Sequence, residues 1–268
     1  MTRWILLLIL VTLSNPGYAY SPTWQDMVSW LKVENQITRA VMKTTVQVFD
    51  PFGKAVDEKG QHLDVEMESR GFKQTIYWKM DTHLAVETYS KDDVLLHFYY
   101  EEEGNSIDIP LSQDRIFTKE DVFPHYLRFL SNSPFVWGYG LSEMNITSRD
   151  IQMYRSQDND VFYRIGDPDL EYFVLIDKDH WRLHSINSSI RSFRKTSDKL
   201  RIEFKSFTQS RSFTYPGVTE YFVNDRLFKR VTLVDFEKTY KLPLAQFYQK
   251  ISNAPLLSGN PVNIDYSR

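Results

Sequence analysis

Apolar side chains that recur at every second position run through most of this chain and constrain its fold more than any other feature. Thr44, Val46 and Val48 share one side of a predicted strand, and a turn at Asn224-Asp225 joins two later segments of the same kind. A period of two residues is typical of half-buried β-strands. We count ten or eleven such strands, which predicts a mainly β protein with an unclosed antiparallel barrel rather than a flat sheet.

Helical periodicity occurs at the start of the chain and again near its middle. Ser21-Pro22 predicts the N-cap and first residue of a helix over residues 22–42, and a capping-box spacing predicts a second helix over residues 118–130. Residues 131–148 contain breakers of regular structure but are too apolar for a solvated loop. Within them we expect residues 135–141 to form a mobile covering segment, so that helices act as a lid or plug.

The first nineteen residues resemble a cleaved export signal. Arg3 supplies a positive charge, residues 4–13 are almost entirely apolar, and small residues precede a cleavage position after Ala19. An uncleaved membrane anchor is the alternative, although ten residues of helix span only about 15 Å of a hydrocarbon core about 30 Å thick. We therefore expect a signal peptide over residues 1–19 and a mature protein in the periplasm that begins near Tyr20.

Composition narrows the classes of partner. The chain has no cysteine, so disulfides, thiolate metal sites and lipid attachment at a cysteine are excluded. Its net charge of −3 argues against nucleic acid or an anionic membrane surface as the main partner. Because no polar or glycine-rich linker divides the chain, we expect one domain over residues 20–251, followed by an irregular tail over residues 252–268.

The sequence holds no catalytic signature, and its two near misses for a metal site have simpler explanations. His180 and His184 flank the start of a predicted strand, where four residues cover about 13 Å. Asp177-Lys178-Asp179 lacks the glycine and distal glutamate of a calcium loop and predicts a turn. We expect no catalytic residue, no metal and no cofactor, with an envelope hydrolase as the remaining enzymatic alternative.

Aromatic side chains make up 15% of the chain and lie at alternating positions. They either fill a closed core or line an apolar cavity in an incompletely closed sheet. A cavity that buries a sixteen-carbon chain gains on the order of 10 kcal/mol before ordering costs. The residues that we expect to line this cavity are Ile76, Trp78, Met80, Leu96, Phe98, Tyr100, Phe123, Tyr126, Leu127, Leu130, Phe135 and Trp137.

Three local segments resemble a known family. A strand that ends in an acidic turn at residues 172–177, a long hairpin that starts at residues 215–228, and the proline-leucine-phenylalanine element at residues 242–247 are similar to LolA-type periplasmic lipoprotein carriers. These carriers have relatives in the LolA/LolB, RseB and LppX superfamily. The resemblance implies an unclosed antiparallel barrel in which helices cover a cavity for lipid chains.

The resulting hypothesis is a soluble periplasmic carrier that binds a lipid or lipoprotein acyl chain and delivers it between membranes. Its expected partners are an acylated ligand and membrane-bound donor and acceptor proteins, and the chain is expected to be a monomer that binds no nucleic acid. The alternative is a non-catalytic sensor or scaffold domain that uses the same fold to contact an envelope protein. A carrier leaves several hundred Å³ of its interior unfilled, roughly, whereas a scaffold does not.

Overall fold

The described part of the chain is mainly β, as predicted. A computed structural model describes residues 22–34, 39–49, 70–79, 82–102, 105–111, 129, 134–147, 149–156, 158–167, 169–189, 199–210, 213–239 and 241–253. In these residues there are three helices, which are α1 (Trp24–Glu34), α2 (Pro134–Glu143) and α3 (Leu244–Asn253). The strands number twelve rather than ten or eleven: β1 (Arg39–Val48), β2 (Arg70–Lys79), β3 (His83–Tyr89), β4 (Leu95–Glu102), β5 (Asn105–Pro110), β6 (Ile151–Arg155), β7 (Val161–Gly166), β8 (Phe173–Asp177), β9 (Arg182–Ser189), β10 (Lys199–Ser210), β11 (Phe213–Val223) and β12 (Arg226–Lys238).

All twelve strands belong to one antiparallel sheet with the order β5-β4-β3-β2-β1-β12-β11-β10-β9-β8-β7-β6. Strand β1 lies inside the sheet, where it pairs with β2 on one side and with β12 on the other. Strands β5 and β6 are the two edges, so these strands form an unclosed sheet. This confirms the predicted fold class.

Strands β11 and β12 are joined by the hairpin that the sequence predicts. Asn224 and Asp225 have φ values of 49° and 64°, the left-handed conformation that a two-residue type I′ turn requires at both central positions. Val223 pairs with Arg226 across this turn, and a register shift follows between Tyr221 and Phe222. The turn therefore sets the register of β11 and β12.

Helix α1 begins and ends at other residues than the sequence predicts. Its N-cap is Thr23, whose hydroxyl accepts a hydrogen bond from the Asp26 N–H, while the Asp26 carboxylate accepts one from the Thr23 N–H at 2.9 Å. This reciprocal pair is a capping box, so the predicted N-cap at Ser21 is wrong. The predicted end at residue 42 is also wrong, because Ala40 and Met42 lie in β1 and are buried there.

The predicted covering segment contains helix α2. Its buried residues Trp137, Leu141 and Met144 follow a helical spacing, and this apolar face outweighs the low helix propensity of the glycines between them. Asn145 is left-handed, with φ 56°, and the N–H of Ile146 donates to the carbonyl of Leu141 at 2.8 Å. This is a Schellman ending. The other predicted helix, over residues 118–130, lies outside the described residues apart from Phe129.

Two further predictions concern the two ends of the chain. The predicted signal peptide at residues 1–19 lies outside the described residues, as does the tail from residue 254 onward. Ser252 and Asn253, which we expected to belong to that tail, form the end of α3. Within the described ranges, no helix combines the length and the apolarity needed to cross a membrane.

The sheet has two faces that pack against different helices. We call the face that packs against α1 and α2 the inner face, where Met27 of α1 and Trp137 of α2 join one buried cluster with sheet residues such as Ile76. We call the opposite face the outer face, where Phe247 of α3 packs on Phe98. Each strand contributes to both faces because successive side chains point in opposite directions.

Candidate functional site on the inner face

The inner face presents an apolar surface that continues across most of the sheet. In β1 every second residue from Ala40 to Val46 is buried, and the intervening residues are exposed or half-buried. Cross-strand partners of these residues continue the same surface, because residues directly opposite each other in a sheet share a face. Buried apolar residues of this face are Ala40, Met42, Val46, Phe72, Ile76, Trp78, Leu84, Val86, Tyr99, Ile165, Val174, Ile176, Leu183, Ile186, Leu200, Ile202, Phe204, Tyr221, Val223 and Val231.

Helix α1 covers one part of this surface. Met27 and Val28 are fully buried, and Trp30 packs edge-on against Trp181 with ring centroids 4.7 Å apart. Trp181 in turn stacks on Tyr163 of β7 at 5.2 Å. The helix is thus attached to the sheet by apolar and aromatic contacts.

Helix α2 is attached to the sheet at its C-terminal end. The Ser188 hydroxyl of β9 donates a buried hydrogen bond of 2.7 Å to the carbonyl of Met144. Trp137 packs edge-on against Phe129 with ring centroids 5.1 Å apart. The guanidinium carbon of Arg149, which follows α2 in the chain, lies 4.7 Å from the centre of the Trp24 ring, so this residue connects α2 to α1.

The predicted lining residues divide between several places. Ile76, Trp78 and Trp137 come together in the buried cluster of the inner face. Phe98 and Tyr100 lie on the outer face with α3. Their neighbour Tyr99 faces inward instead, because it occupies the opposite phase of β4.

The other predicted lining residues either lie away from the buried cluster of the inner face or fall outside the described residues. Leu96 is half-buried beside a register shift between β3 and β4. Phe135 is 83% exposed, so it projects away from the cluster that its neighbour Trp137 enters. Met80, Phe123, Tyr126, Leu127 and Leu130 lie outside the described residues.

Four buried polar residues form one row across the inner face and were not among the predicted site residues. Thr44, Gln74, Thr88 and His97 are direct cross-strand partners in β1, β2, β3 and β4, and each is at most 5% exposed. We call this set the polar row. The sequence carries a visible signal for it, since Gln74 occupies the apolar phase of β2, two residues before Ile76.

A buried cation also lies on this face. Lys229 of β12 is 2% exposed, and its Nζ lies 4.1 Å from the centre of the Tyr221 ring. The aromatic ring stabilises the ammonium group where water does not reach it. Nothing in the apolar periodicity of the sequence indicates this burial.

His180 and His184, whose spacing of four residues is compatible with metal binding on a helix, contact other side chains in the structure. His180 Nδ1 lies 3.1 Å from Asp177 Oδ2, and His184 packs on Phe162 with ring centroids 4.5 Å apart. Burial opposes ionisation of Asp177, but hydrogen bonds from His180 and Asp179 outweigh it and lower the pKa of this carboxyl. Among the described residues, no three His, Cys, Asp or Glu side chains are grouped to hold a metal ion.

The outer face beneath α3 is closed by aromatic packing. Leu242 and Phe247 are buried against the sheet. The ring of Phe247 lies 5.0 Å from that of Tyr77, 6.1 Å from that of Phe98 and 5.8 Å from that of Tyr100. The element at residues 242–247 that suggested the family resemblance thus anchors α3 to β2 and β4.

Two carboxylates reinforce this attachment. Glu87 is buried, pairs with Lys250 of α3 and accepts a hydrogen bond from the Tyr89 hydroxyl at 2.5 Å. Burial, followed by the charge of Glu87, raises the pKa of Tyr77 to about 12. Both carboxylates contact α3 directly, since Glu102 accepts a hydrogen bond from the Tyr248 hydroxyl at 2.8 Å.

Glu102 also joins the aromatic groups of the sheet. It accepts a bond from the Tyr100 hydroxyl at 2.9 Å and lies 3.0 Å from His83 Nε2. The hydrogen bond from Tyr248 is the main reason why the pKa of Glu102 is lowered, and partial burial opposes it.

Strands β10, β11 and β12 carry charged groups on the outer face. Glu220 is buried and pairs with Lys205 and Arg230, each at 2.7 Å. Burial raises the pKa of Glu220, but the hydrogen bonds from these two cations outweigh that effect and lower it. This part of the outer face therefore differs sharply from the apolar surface behind it.

Comparison with known proteins supports the fold assignment. The structure is similar to that of a LolA superfamily protein from Nitrosomonas europaea, with a TM-score of 0.50 and 11% identity over 85% of this chain and 98% of that chain. An outer membrane lipoprotein-sorting protein domain from Vibrio parahaemolyticus gives the same TM-score and identity over 85% of this chain and 97% of that chain. No protein-family profile and no curated protein sequence matches the chain. The chain therefore shares the fold of these two proteins, in agreement with the sequence resemblance.

Proposed function

We propose that this protein is a periplasmic carrier that binds a lipid or lipoprotein acyl chain against the inner face of its sheet and delivers it between membranes. The observation that supports this most strongly is the extensive apolar surface of the inner face beneath two short helices. Apolar contacts are non-directional, so an acyl chain could take the place of the helix side chains that cover this surface. The domain from Vibrio parahaemolyticus with the same fold is described as lipoprotein-sorting, which agrees with this role.

The proposed acyl-chain site contains Ile76, Trp78 and Trp137 from the predicted set. These three residues share one buried cluster, whereas Phe98 and Tyr100 contact α3 on the outer face. The proposal keeps the export signal over residues 1–19, with cleavage after Ala19, and a single carrier domain over residues 20–251. It includes no catalytic step.

A binding assay with two matched variants tests the proposal. The delipidated protein is titrated with a fluorescent fatty acid, 11-(dansylamino)undecanoic acid, and lipids that copurify with the untreated protein are identified by mass spectrometry. We expect saturable uptake, and we expect Trp78→Ala to weaken it by about tenfold, or about 1.4 kcal/mol, because the indole contact is lost. Phe98→Ala removes a comparably buried aromatic ring from the outer face and should leave uptake within about twofold.

Circular dichroism and thermal unfolding of both variants provide the control, because each substitution costs about 3–5 kcal/mol of stability if the cavity persists. A folded, delipidated protein with no saturable uptake would overturn the carrier proposal and favour the scaffold alternative. Equal losses in both variants would show that the fatty acid does not bind the inner face.

A further inference from the structure

The polar row is an exception within the apolar inner face. Thr44 pairs with Gln74, Gln74 with Thr88, and Thr88 with His97, so the row crosses four adjacent strands. With strands about 4.8 Å apart, it is about 14 Å long. Apolar residues border it, as Met42 and Val46 flank Thr44 in β1.

The two middle residues of the row are joined by a hydrogen bond, whereas each end of the row has a polar atom without a hydrogen-bond partner among the described residues. The Gln74 Nε2 donates to the Thr88 hydroxyl at 3.2 Å. At one end, Thr44 Oγ1 is buried and has no hydrogen-bond partner among the described residues. At the other end the same holds for Nδ1 of His97.

Nε2 of His97 already has a partner, so Nδ1 is the ring nitrogen that can bind a ligand. Nε2 pairs with a carboxylate oxygen of Asp108. With Nε2 donating to this carboxylate, Nδ1 accepts a hydrogen bond when the ring is neutral and donates one when the ring is charged. A hydroxyl group can pair with Nδ1 in either state, and the Thr44 hydroxyl can likewise donate to or accept from one.

Buried polar atoms normally have partners, and leaving one unpaired is unfavourable. Two unpaired atoms at opposite ends of one row need a ligand that carries hydroxyl groups some distance apart. The four residues of the row include no lysine or arginine, and Asp108 adds a carboxylate, so the row does not favour a phosphate head group. These features together specify an uncharged head with several hydroxyl groups.

We propose that the polar row binds the uncharged, polyhydroxylated head group of an amphiphile whose acyl or alkyl chain lies on the neighbouring apolar surface. This inference rests on the proposed carrier function and specifies the class of its ligand. Because the row is buried, the head group reaches it only when the covering of the inner face moves aside. The polar row would then select among ligands that the apolar surface alone does not distinguish.

A competition experiment tests this selection with two ligands of equal chain length. Dodecyl maltoside, kept below its critical micelle concentration, carries a polyhydroxylated head, whereas methyl laurate carries no hydroxyl donor. Each displaces the fluorescent fatty acid from the delipidated protein. We expect dodecyl maltoside to compete at least about tenfold better, equivalent to about 1.4 kcal/mol.

Thr44→Val and His97→Phe should each reduce that preference several-fold while leaving methyl laurate binding unchanged. Thr45→Val is the matched control, because Thr45 is the next residue of the same strand and is exposed on the outer face. Thermal unfolding separates this role from a structural one: Thr44→Val removes an unpaired hydroxyl and should not lower the unfolding temperature.

The outcomes distinguish the two proposals. Equal competition by the two ligands in the unaltered protein, or a preference that survives both substitutions, overturns the assignment of the polar row and leaves the carrier proposal standing. Failure of both ligands to displace the probe, together with no saturable probe uptake, overturns the carrier proposal and this inference with it.

Discussion

The inner and outer faces of the sheet are held to their helices by different interactions. On the inner face α1 and α2 pack through apolar groups such as Met27 and Trp137, and the Ser188 hydroxyl donates a buried hydrogen bond to the Met144 carbonyl. On the outer face α3 adds ion pairs and hydrogen bonds to Glu87 and Glu102. Hydrogen bonds and ion pairs are directional, whereas apolar contacts are not, so the inner face is the one on which the proposed ligand chain would take the place of protein contacts.

The largest expected effect comes from Trp137, which packs α2 against the inner face through apolar contacts. Trp137→Ala removes a fully buried indole and should lower the free energy of unfolding by about 3–5 kcal/mol. Phe135→Ala alters the same helix at a residue that is 83% exposed, and its effect should stay within about 0.5 kcal/mol. Urea unfolding of both variants measures the difference.

If Trp137→Ala were as mild as Phe135→Ala, the apolar attachment of α2 would contribute little and the comparison would fail. A strong effect of Phe135→Ala would instead mean that this exposed ring is covered in solution, for example by a second copy of the chain. Sedimentation analysis of the unaltered protein would distinguish that case.

An intermediate effect is expected from the ionic attachment of α3. Lys250→Met leaves the buried Glu87 carboxylate without its cation and should cost about 1–3 kcal/mol. Lys73→Met is the matched control, because its pair with Asp93 spans 2.7 Å between exposed side chains and should contribute about 0–1 kcal/mol. Urea unfolding measures the stabilities, and fatty-acid uptake should stay unchanged in both variants.

Equal effects at Lys250 and Lys73 would contradict the view that burial of Glu87 makes its ion pair important. Loss of fatty-acid uptake in a folded Lys250→Met protein would break the comparison in another way, since it would couple the outer face to the proposed site. The double variant Glu87→Leu with Lys250→Met should recover much of the lost stability, because it leaves no charge unpaired.

The strands and the antiparallel class of the sheet were predictable from sequence, whereas the pairing of β1 with β12 and the face assignment of the aromatic residues were not. In β4 both phases are buried, with Tyr99 on the inner face and Phe98 and Tyr100 on the outer one. An alternating pattern identifies a strand but not which phase meets which cover. Here the decision depends on α3, whose Phe247 comes from a distant part of the chain.

Local patterns also failed where tertiary contacts decided the outcome. The predicted helix over residues 22–42 is too long, because Ala40 and Met42 follow the two-residue period of β1, which pairs with a neighbouring strand on both sides. Glycines suggested an irregular covering segment where α2 forms, and its buried Trp137 and Leu141 supply the compensating packing. The polar row was in principle visible, since Gln74 interrupts an apolar phase, but a single strand does not show that its partners are polar too.

The smallest expected effect concerns the protonation of Glu102 on the outer face. Because the hydrogen bond from Tyr248 lowers the pKa of Glu102, the ionised carboxylate stabilises the docked α3 at neutral pH. This contribution is complete above the pKa of an unfolded glutamate, about 4.3, and is lost as the pH falls through the lower pKa of the folded state. Tyr248→Phe should move the Glu102 midpoint upward, toward its ordinary value, in an NMR titration of the carboxyl carbon. An unmoved midpoint would show that another group sets this pKa.

Fatty-acid uptake should not change with pH through the Glu102 titration, since Glu102 contacts α3 and not the inner face. A shared midpoint for uptake and for the Glu102 titration would mean that protonation on the outer face affects binding on the inner face.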